Sequence, residues 1–491
     1  MRTSISHPLE IASVRPAPGF GRVGITFCPG KQQPSALTGS WQRDLKLDVE
    51  AIADFGAAAV VTLIEDHEFE ELAVRGLGDE VRRQHMEWVH LPIADMGTPS
   101  SAFERRWCEA SPGLHARLRD GFDVVVHCKG GLGRAGTIAA RLLVELGMSP
   151  THAIAQVRDV RPGALETQEQ MQYVHRLPGP VAGPTPRTDD EAIRDRAVGA
   201  LLGLAVGDAL GTTLEFKGRD TYPPLTDIVG GGPFSLKPGQ WTDDTAMALA
   251  LAESLAHCDP FSPTDLMHRF VAWRREGEYS CTGSCFDIGV TTSAALGRFE
   301  RTGDPFAGSI DPQTAGNGSL MRLAPVAIRY WRDHSILRQV AIDQSRTTHG
   351  APEAVSACAA YAGMLADAIA GVPREGVLSQ QSDGYAGSVA KVVRGSWRGK
   401  ARTSVRSGGY VVESLEAALW AIGRTSDFRG AVLTAANLGD DADTTAAIAG
   451  QLAGALYGAD AIPREWLEKL AWRERLEKLA ATLFDCSMTP D

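Results

Sequence analysis

The sequence predicts two domains of different class, an α/β domain followed by an all-α domain, and three observations predict it. Before residue 177, short β-branched runs alternate with amphipathic stretches, the pattern of strands and helices around a largely parallel sheet. Leu177–Asp190 reads LPGPVAGPTPRTDD, with four prolines, two glycines and no apolar period, so it is a connector. After it, long Ala/Leu-rich segments recur with few β-branched runs, which is helical texture. The expected boundaries are a first domain over 1–178, a linker over 179–190 and a second domain over 191–491. Length alone, 491 residues, suggests about three units. No fixed-period repeat divides the chain further.

In order along the first half, Val23–Phe27, Ala58–Ile64 and Val124–His127 are expected strands, and Leu45–Ala53, Arg134–Leu146 and Ser149–Val160 expected helices. In the second half the expected helices are Ala192–Leu210, Thr245–His257, Ala351–Ala370, Val411–Ile422, Asp443–Leu456 and Trp466–Leu483.

With 44% hydrophobic and 22% charged residues the chain is globular rather than disordered. Sixty acidic against 49 basic residues leave a net charge of −11, which argues against general nucleic-acid or anionic-membrane binding. No uninterrupted apolar run suggests a membrane span, and Met1–Pro18 has no hydrophobic segment of a signal peptide. Eight scattered cysteines lack the density of a disulfide scaffold and the paired spacing of a metal site. The expectation is a cytoplasmic protein of a reducing compartment.

Residues Asp123–Thr137 read DVVVHCKGGLGRAGT: an apolar run, a Gly-rich loop, then a helix from about Arg134. Such a loop at a helix N-terminus turns backbone N–H groups inward as an anion nest, here over Lys129, Gly130, Gly131, Leu132 and Gly133. Cys128 opens the loop at the positive end of the helix dipole, a place that favours a thiolate. Arg134, six residues on, can grip two phosphate oxygens. A thiolate beside a fixed phosphate is an in-line nucleophile.

The fragment, with FCPGK at Phe27–Lys31 and HLPIADMGTPS at His90–Ser100, resembles the cysteine-dependent dual-specificity phosphatases, in particular those associated with cyclin-dependent kinases. The resemblance covers most of residues 20–175. It implies that Cys128 attacks phosphorus, Arg134 binds the phosphoryl group, Asp95 protonates the leaving oxygen and Thr137 assists departure of the thiolate. It also implies that Glu166, Thr167 and Gln168 steer the hydrolytic water.

In the second half, GDALGTTLE (207–215), WTDDT (241–245) and GDDADTT (439–445) each lie at the end or start of an Ala/Leu-rich helix. Each alone reads as a helix cap. Taken together, Asp243, Asp244, Asp441 and Asp443 would repel unless hard divalent cations neutralised them, with Thr242 and Thr444 as further oxygen ligands. Two metals side by side polarise a substrate and position a water.

These motifs, with RAVGALLGLAVGDALGTTLEF, AGNGSLMR and TTHGAPEA, resemble the ADP-ribosylglycohydrolases, most closely those that act on dinitrogenase reductase, over nearly all of 191–458. The resemblance implies that Thr242, Asp243, Asp244, Asp441, Asp443 and Thr444 bind two magnesium or manganese ions while Glu215 positions the water. It places Asp287, Tyr410 and His349 at the ADP-ribose, and Asn317, Gly318, Ser319, Met321 and Arg322 in a loop that contacts phosphate and ribose. One position departs from the family pattern: Asp440 stands where Gly or Asn is usual.

The expected whole is a bifunctional hydrolase. It would remove ADP-ribose from a modified protein or small molecule and hydrolyse a phosphomonoester on a phosphorylated substrate. The alternative makes the first domain a module that binds a phospho-ligand without turnover.

Overall fold

The computed structural model describes residues 1–34 and 39–488. The chain divides into two compact units, one of Met1–Pro184 with residues 398–402 and 423–426, the other of the remainder from Thr185. Length alone points to a third unit; the helical half is instead part of one compact unit.

Among the described residues the first unit contains seven strands: β1 (Ala12–Val14), β2 (Val23–Phe27), β3 (Gln32–Gln33), β4 (Trp41–Gln42), β5 (Ala57–Thr62), β6 (Glu87–His90) and β7 (Asp123–Cys128). Five form one sheet in the order β1-β2-β7-β5-β6, with β1 antiparallel at one edge and the others parallel. Every residue of β5 and β7 is buried, which is why both read as continuous apolar runs. Alternate side chains enter opposite cores. Val124, Val126 and Cys128 pack with Trp107, Ile138 and Ile154, whereas Val125 packs with Val49, Ile52 and Leu77. That alternation brings Cys128 to the face covered by the Gly133–Glu145 helix, whose N-terminus lies just beyond it.

Among the described residues the second unit has helices and isolated bridges but no strand. Its centre is an antiparallel pair, Asp190–Gly211 against Ala442–Tyr457, in which glycine or alanine recurs every fourth residue along the seam. A Cβ on Gly203 would lie 2.1 Å from the carbonyl oxygen of Gly450, so the two backbones touch and only glycine fits. The seam fixes the end of the first helix, with Asp208 and then Glu215, beside Asp441 and Asp443 at the start of the second.

Two expectations change. The Trp466–Leu483 segment is two helices, Arg464–Leu467 and Arg473–Met488. Between them Ala471 donates its N–H to Gly239 at 2.9 Å and accepts from the Trp241 indole at 3.2 Å, so tertiary partners replace the helical ones. Asp190–Leu214 and Pro352–Ala370 are, by length and composition, apolar enough to cross a membrane, although acidic residues interrupt both apolar runs; most of each is buried within the unit.

Candidate active sites

In the first unit Cys128 is buried at the end of β7, and the Gly131 N–H donates to its sulfur at 3.2 Å. Gly131 has φ +70° and a Cβ there would lie 2.5 Å from the Thr26 carbonyl, so this amide reaches the sulfur only because the residue is glycine. Arg134, almost fully buried, donates from Nη1 and Nη2 to the two Glu68 carboxylate oxygens at 2.6 and 3.0 Å. Its Nη1 also donates to the Ile93 carbonyl at 3.0 Å, and its Nη2 lies 2.9 Å from the Asp95 carboxylate. Asp95 itself is 60% exposed, on the accessible side of the arginine. The thiol, guanidinium and carboxyl named from sequence are thus on one cradle. Burial pushes the Glu68 carboxyl up, yet its hydrogen bonds from Arg134 and the Glu65 backbone hold it below its ordinary value.

Other sequence-named residues are committed elsewhere. Thr137 is buried one helical turn in and its hydroxyl donates to the Gly133 carbonyl at 2.8 Å, a local bond that takes the proton expected to reach sulfur. The Gly133 N–H donates to Glu166 at 2.8 Å, and the Lys129 ammonium pairs with Glu71 at 2.6 Å. Gly130 is open and Leu132 precedes the helix as its cap residue. Thr167 caps the Gln168–His175 helix and Gln168 is exposed; buried Gln170 is the side chain that reaches the Asp95 loop, donating to the Gly97 carbonyl at 3.1 Å. Sequence reading missed Glu68 and Gln170. Each is three residues into a capping box, a local signal that carries no hint of the cradle. His127 is fully buried, bonded to Thr62 at 2.8 Å, and burial lowers its pKa to about 3, so the ring is neutral.

In the second unit a cavity of about 760 Å³ is lined by Glu215, Asp243, Asp287, Asp441, Asp443 and Thr444 among others. The Asp243–His257 helix begins two residues earlier than expected, so Asp243 and Asp244 both stand in its first turn. Two groups of carboxylates converge, Asp208 with Asp244 and Asp443, and Glu215 with Asp441 and Asp443.

Asp208, passed over as a ligand from sequence, has both oxygens engaged. Oδ1 accepts from the Thr242 N–H and hydroxyl at 2.9 and 2.8 Å, and Oδ2 from the Thr245 N–H and hydroxyl at 3.0 and 2.7 Å. With its proton turned to Asp208, the Thr242 oxygen faces Asp443 at 3.3 Å and Asp244 at 3.4 Å with lone pairs. Thr444 lies 3.4 Å from the same Asp244 oxygen. The other Asp244 oxygen, Oδ1, is buried with no hydrogen-bond partner. Glu215 accepts from the Ala442 and Asp443 amides at 2.8 and 3.4 Å, and Asn317 holds Asp441 through a 2.8 Å bond.

Burial, then mutual repulsion, pushes these groups up: Glu215 to about 12, Asp287 to about 9, Asp443 to about 7, and Asp243 and Asp244 well above the ordinary carboxyl value. Asp441 is raised as well, by burial. An orphaned buried carboxylate oxygen amid oxygen-only donors fits a hard divalent cation.

Asn317, Gly318, Met321 and His349 line the same cavity. His349 is buried, held neutral by burial with its pKa near about 3, and packs beneath the loop: a Cβ on Gly318 would lie 2.8 Å from its ring. Two expected contacts are corrected. Arg322 is fully buried away from the cavity lining, donating to the Gln344 side chain and backbone and to Thr348, with its guanidinium over Phe270. Ser319 is likewise buried and bonded to Ser345 at 2.8 Å. Buried polar partners hold both away from the cavity. Tyr410 stands beside the cavity rather than in its lining; its hydroxyl bonds Glu353 and its backbone pairs with Gly316. Asp440 has φ +58°, the left-handed region that explains why Gly or Asn suits this position; its carboxylate is outside both converging groups and faces the cavity mouth exposed.

Comparison with known proteins agrees with both halves. The second is 48% identical over 300 residues to an ADP-ribosylarginine hydrolase of Pseudomonas putida, covering 61% of this chain and 80% of that one. It is 35% identical over 283 residues to the ADP-ribosyl-[dinitrogen reductase] glycohydrolase of Rhodospirillum rubrum, covering 57% and 91%. The arginine hydrolase is therefore the nearer of these two, although the sequence motifs pointed to the dinitrogenase-reductase type. The first half is 33% identical over 139 residues to human cyclin-dependent kinase inhibitor 3, covering 28% of this chain and 64% of that one. A DSP-PTPase phosphatase domain of the Swiss Army Knife type matches residues 32–179, and ADP-ribosylglycohydrolase matches 189–490. The chain belongs to the ADP-ribosylglycohydrolase family and carries a phosphatase domain ahead of its hydrolase domain.

Proposed function

We propose that the second domain removes ADP-ribose from an arginine side chain with two divalent cations, magnesium or manganese, held by Thr242, Asp243, Asp244, Asp441, Asp443 and Thr444. The observation that carries the reading is the buried, unpartnered oxygen of Asp244 among carboxylates that cannot all ionise unaided. The cations would supply positive charge against the ribose hydroxyls and an activated water. Glu215, fixed by two amides at the start of the Ala442–Tyr457 helix, holds the water against C1″, and Asp287 faces the developing oxocarbenium charge. The 48% identity to an ADP-ribosylarginine hydrolase supports the guanidino acceptor.

The first domain, on this reading, hydrolyses phosphomonoesters. Cys128 sulfur forms the bond to phosphorus, the ester oxygen leaves with a proton from Asp95, and water then cleaves the phosphocysteine. Arg134 orients the phosphoryl oxygens, exchanging Asp95 for them. A second reading, phospho-ligand binding without turnover, is favoured by one observation: the Thr137 hydroxyl is spent on the Gly133 carbonyl. The free cysteines among the described residues support work in a reducing compartment, the cytoplasm.

Separated assays test this. Release of ADP-ribose from arginine-modified protein should require manganese or magnesium and vanish in Asp244→Ala while surviving Cys128→Ser. Hydrolysis of para-nitrophenyl phosphate should do the reverse; full phosphatase activity in Cys128→Ser would refute the nucleophile.

A further inference from the structure

At the mouth of the acidic cavity two residues are held in an uncommon conformation by each other. The Phe216 N–H donates to the Asp440 carbonyl at 2.8 Å, and the Asp440 N–H donates to the Lys217 carbonyl at 2.8 Å. Phe216 has φ +61° and Asp440 φ +58°. For a bulky aromatic the left-handed region is costly, and such strain persists where the surroundings over-determine it. Its result here is specific: Phe216 is 68% exposed, the one exposed phenylalanine among the described residues, and both it and Asp440 line the cavity mouth. Phe234 meets the Phe216 ring edge-wise at 6.4 Å and itself packs on Phe286, so the aromatic rests on a support instead of swinging free. An exposed aromatic and an unburied carboxylate side by side form a receptor for a planar cation, which stacks on the ring and pairs with the acid.

We infer that Phe216 and Asp440 form the acceptor-side subsite of the hydrolase, recognising the guanidinium of the modified arginine while the cavity beyond takes the ADP-ribose. This rests on the arginine reading above and goes further by naming the residues that select that acceptor. A serine-linked ADP-ribose presents no cation there and gains nothing from either residue. Neither residue belongs to the converging carboxylates, so the subsite governs acceptor affinity and leaves bond cleavage to the groups beneath.

The test uses the full chain with manganese, two peptides of matched sequence carrying ADP-ribose on arginine or on serine, and calorimetric titration of free ADP-ribose. Phe216→Ala and Asp440→Asn should each raise KM for the arginine-linked peptide by about 3- to 30-fold. Affinity for free ADP-ribose should stay within about twofold of wild type, and Phe216→Tyr should keep the low KM. Asn tolerates φ > 0, so Asp440→Asn removes charge without new strain. An unchanged KM in both variants, or a fall in ADP-ribose affinity that matches the KM change, would overturn the inference alone. A wild-type chain that fails to cleave the arginine-linked peptide would overturn the arginine reading, and this inference with it.

Discussion

Thr242 gives its hydroxyl proton to Asp208 at 2.8 Å, which leaves its oxygen lone pairs directed between Asp244 and Asp443. On the proposed two-cation reading, Asp208 organises the cage without joining it, since both of its oxygens already accept two bonds. Removing it should free the Thr242 hydroxyl to turn and the start of the Asp243–His257 helix to shift. Asp208→Ala is expected to weaken manganese affinity about 10- to 100-fold, the usual cost of losing a partner that orients a metal ligand. Calorimetric titration of manganese checks this; unchanged affinity would show that Thr242 is oriented by other means.

Glu68 and Asp95 share Arg134 but differ in surroundings, so their substitutions should separate stability from turnover. The Arg134–Glu68 pair is almost fully buried on both sides. Glu68→Ala strands a buried guanidinium and should destabilise the first domain by about 3–5 kcal/mol. Asp95 is 60% exposed, and Asp95→Asn should change stability by less than about 0.5 kcal/mol while slowing phosphate-ester cleavage about 100-fold or more. Chemical unfolding and single-turnover phosphatase assays read the two effects.

Much of this was legible in the sequence, and what was not has physical causes. The Gly-rich loop after a β-branched run announced the cradle because loop geometry demands local residue types. Glu68 stayed hidden: its partner Arg134 lies 66 residues away, and its own neighbourhood reads only as a helix cap. Arg322 and Ser319 sit in a motif that reaches the cavity through Asn317, Gly318 and Met321, but these two side chains turn into the core, where Gln344 and Ser345 receive them. Sequence placed Asp208 in an acidic motif yet could not show that its oxygens face two threonines rather than a cation. The left-handed backbone of Phe216 left no trace, since an aromatic does not advertise φ > 0 as glycine does, whereas that of Asp440 was hinted at by the Gly or Asn usual at its position.

Burial holds His127 neutral, with its pKa lowered to about 3. A depressed histidine contributes stability that is fully present above its unfolded pKa, about 6.5, and is lost as pH falls toward 3. The His127 ring should accordingly show no titration between about pH 8 and 5 by NMR. A midpoint near 6.5 would mean that the ring is solvated and the β5–β7 hydrogen bond open.

The glycine seam yields a contrast in one assay. A Cβ on Gly203 would meet the Gly450 carbonyl at 2.1 Å, whereas one on Gly130 meets nothing within 4 Å. Gly203→Ala should cost about 1–3 kcal/mol or more and loosen the cage beyond it, while Gly130→Ala should be near neutral. Thermal unfolding with and without manganese distinguishes a lost seam from a lost metal.

The central claim is a two-cation hydrolase, and counting bound metal tests it most directly. Equilibrium dialysis of the metal-stripped full chain against manganese should give two ions per chain, with fewer in Asp244→Ala, and ADP-ribose release should return in step with occupancy. Fewer than two ions in the wild type, or arginine-linked ADP-ribose released at full rate by the stripped chain, would contradict it.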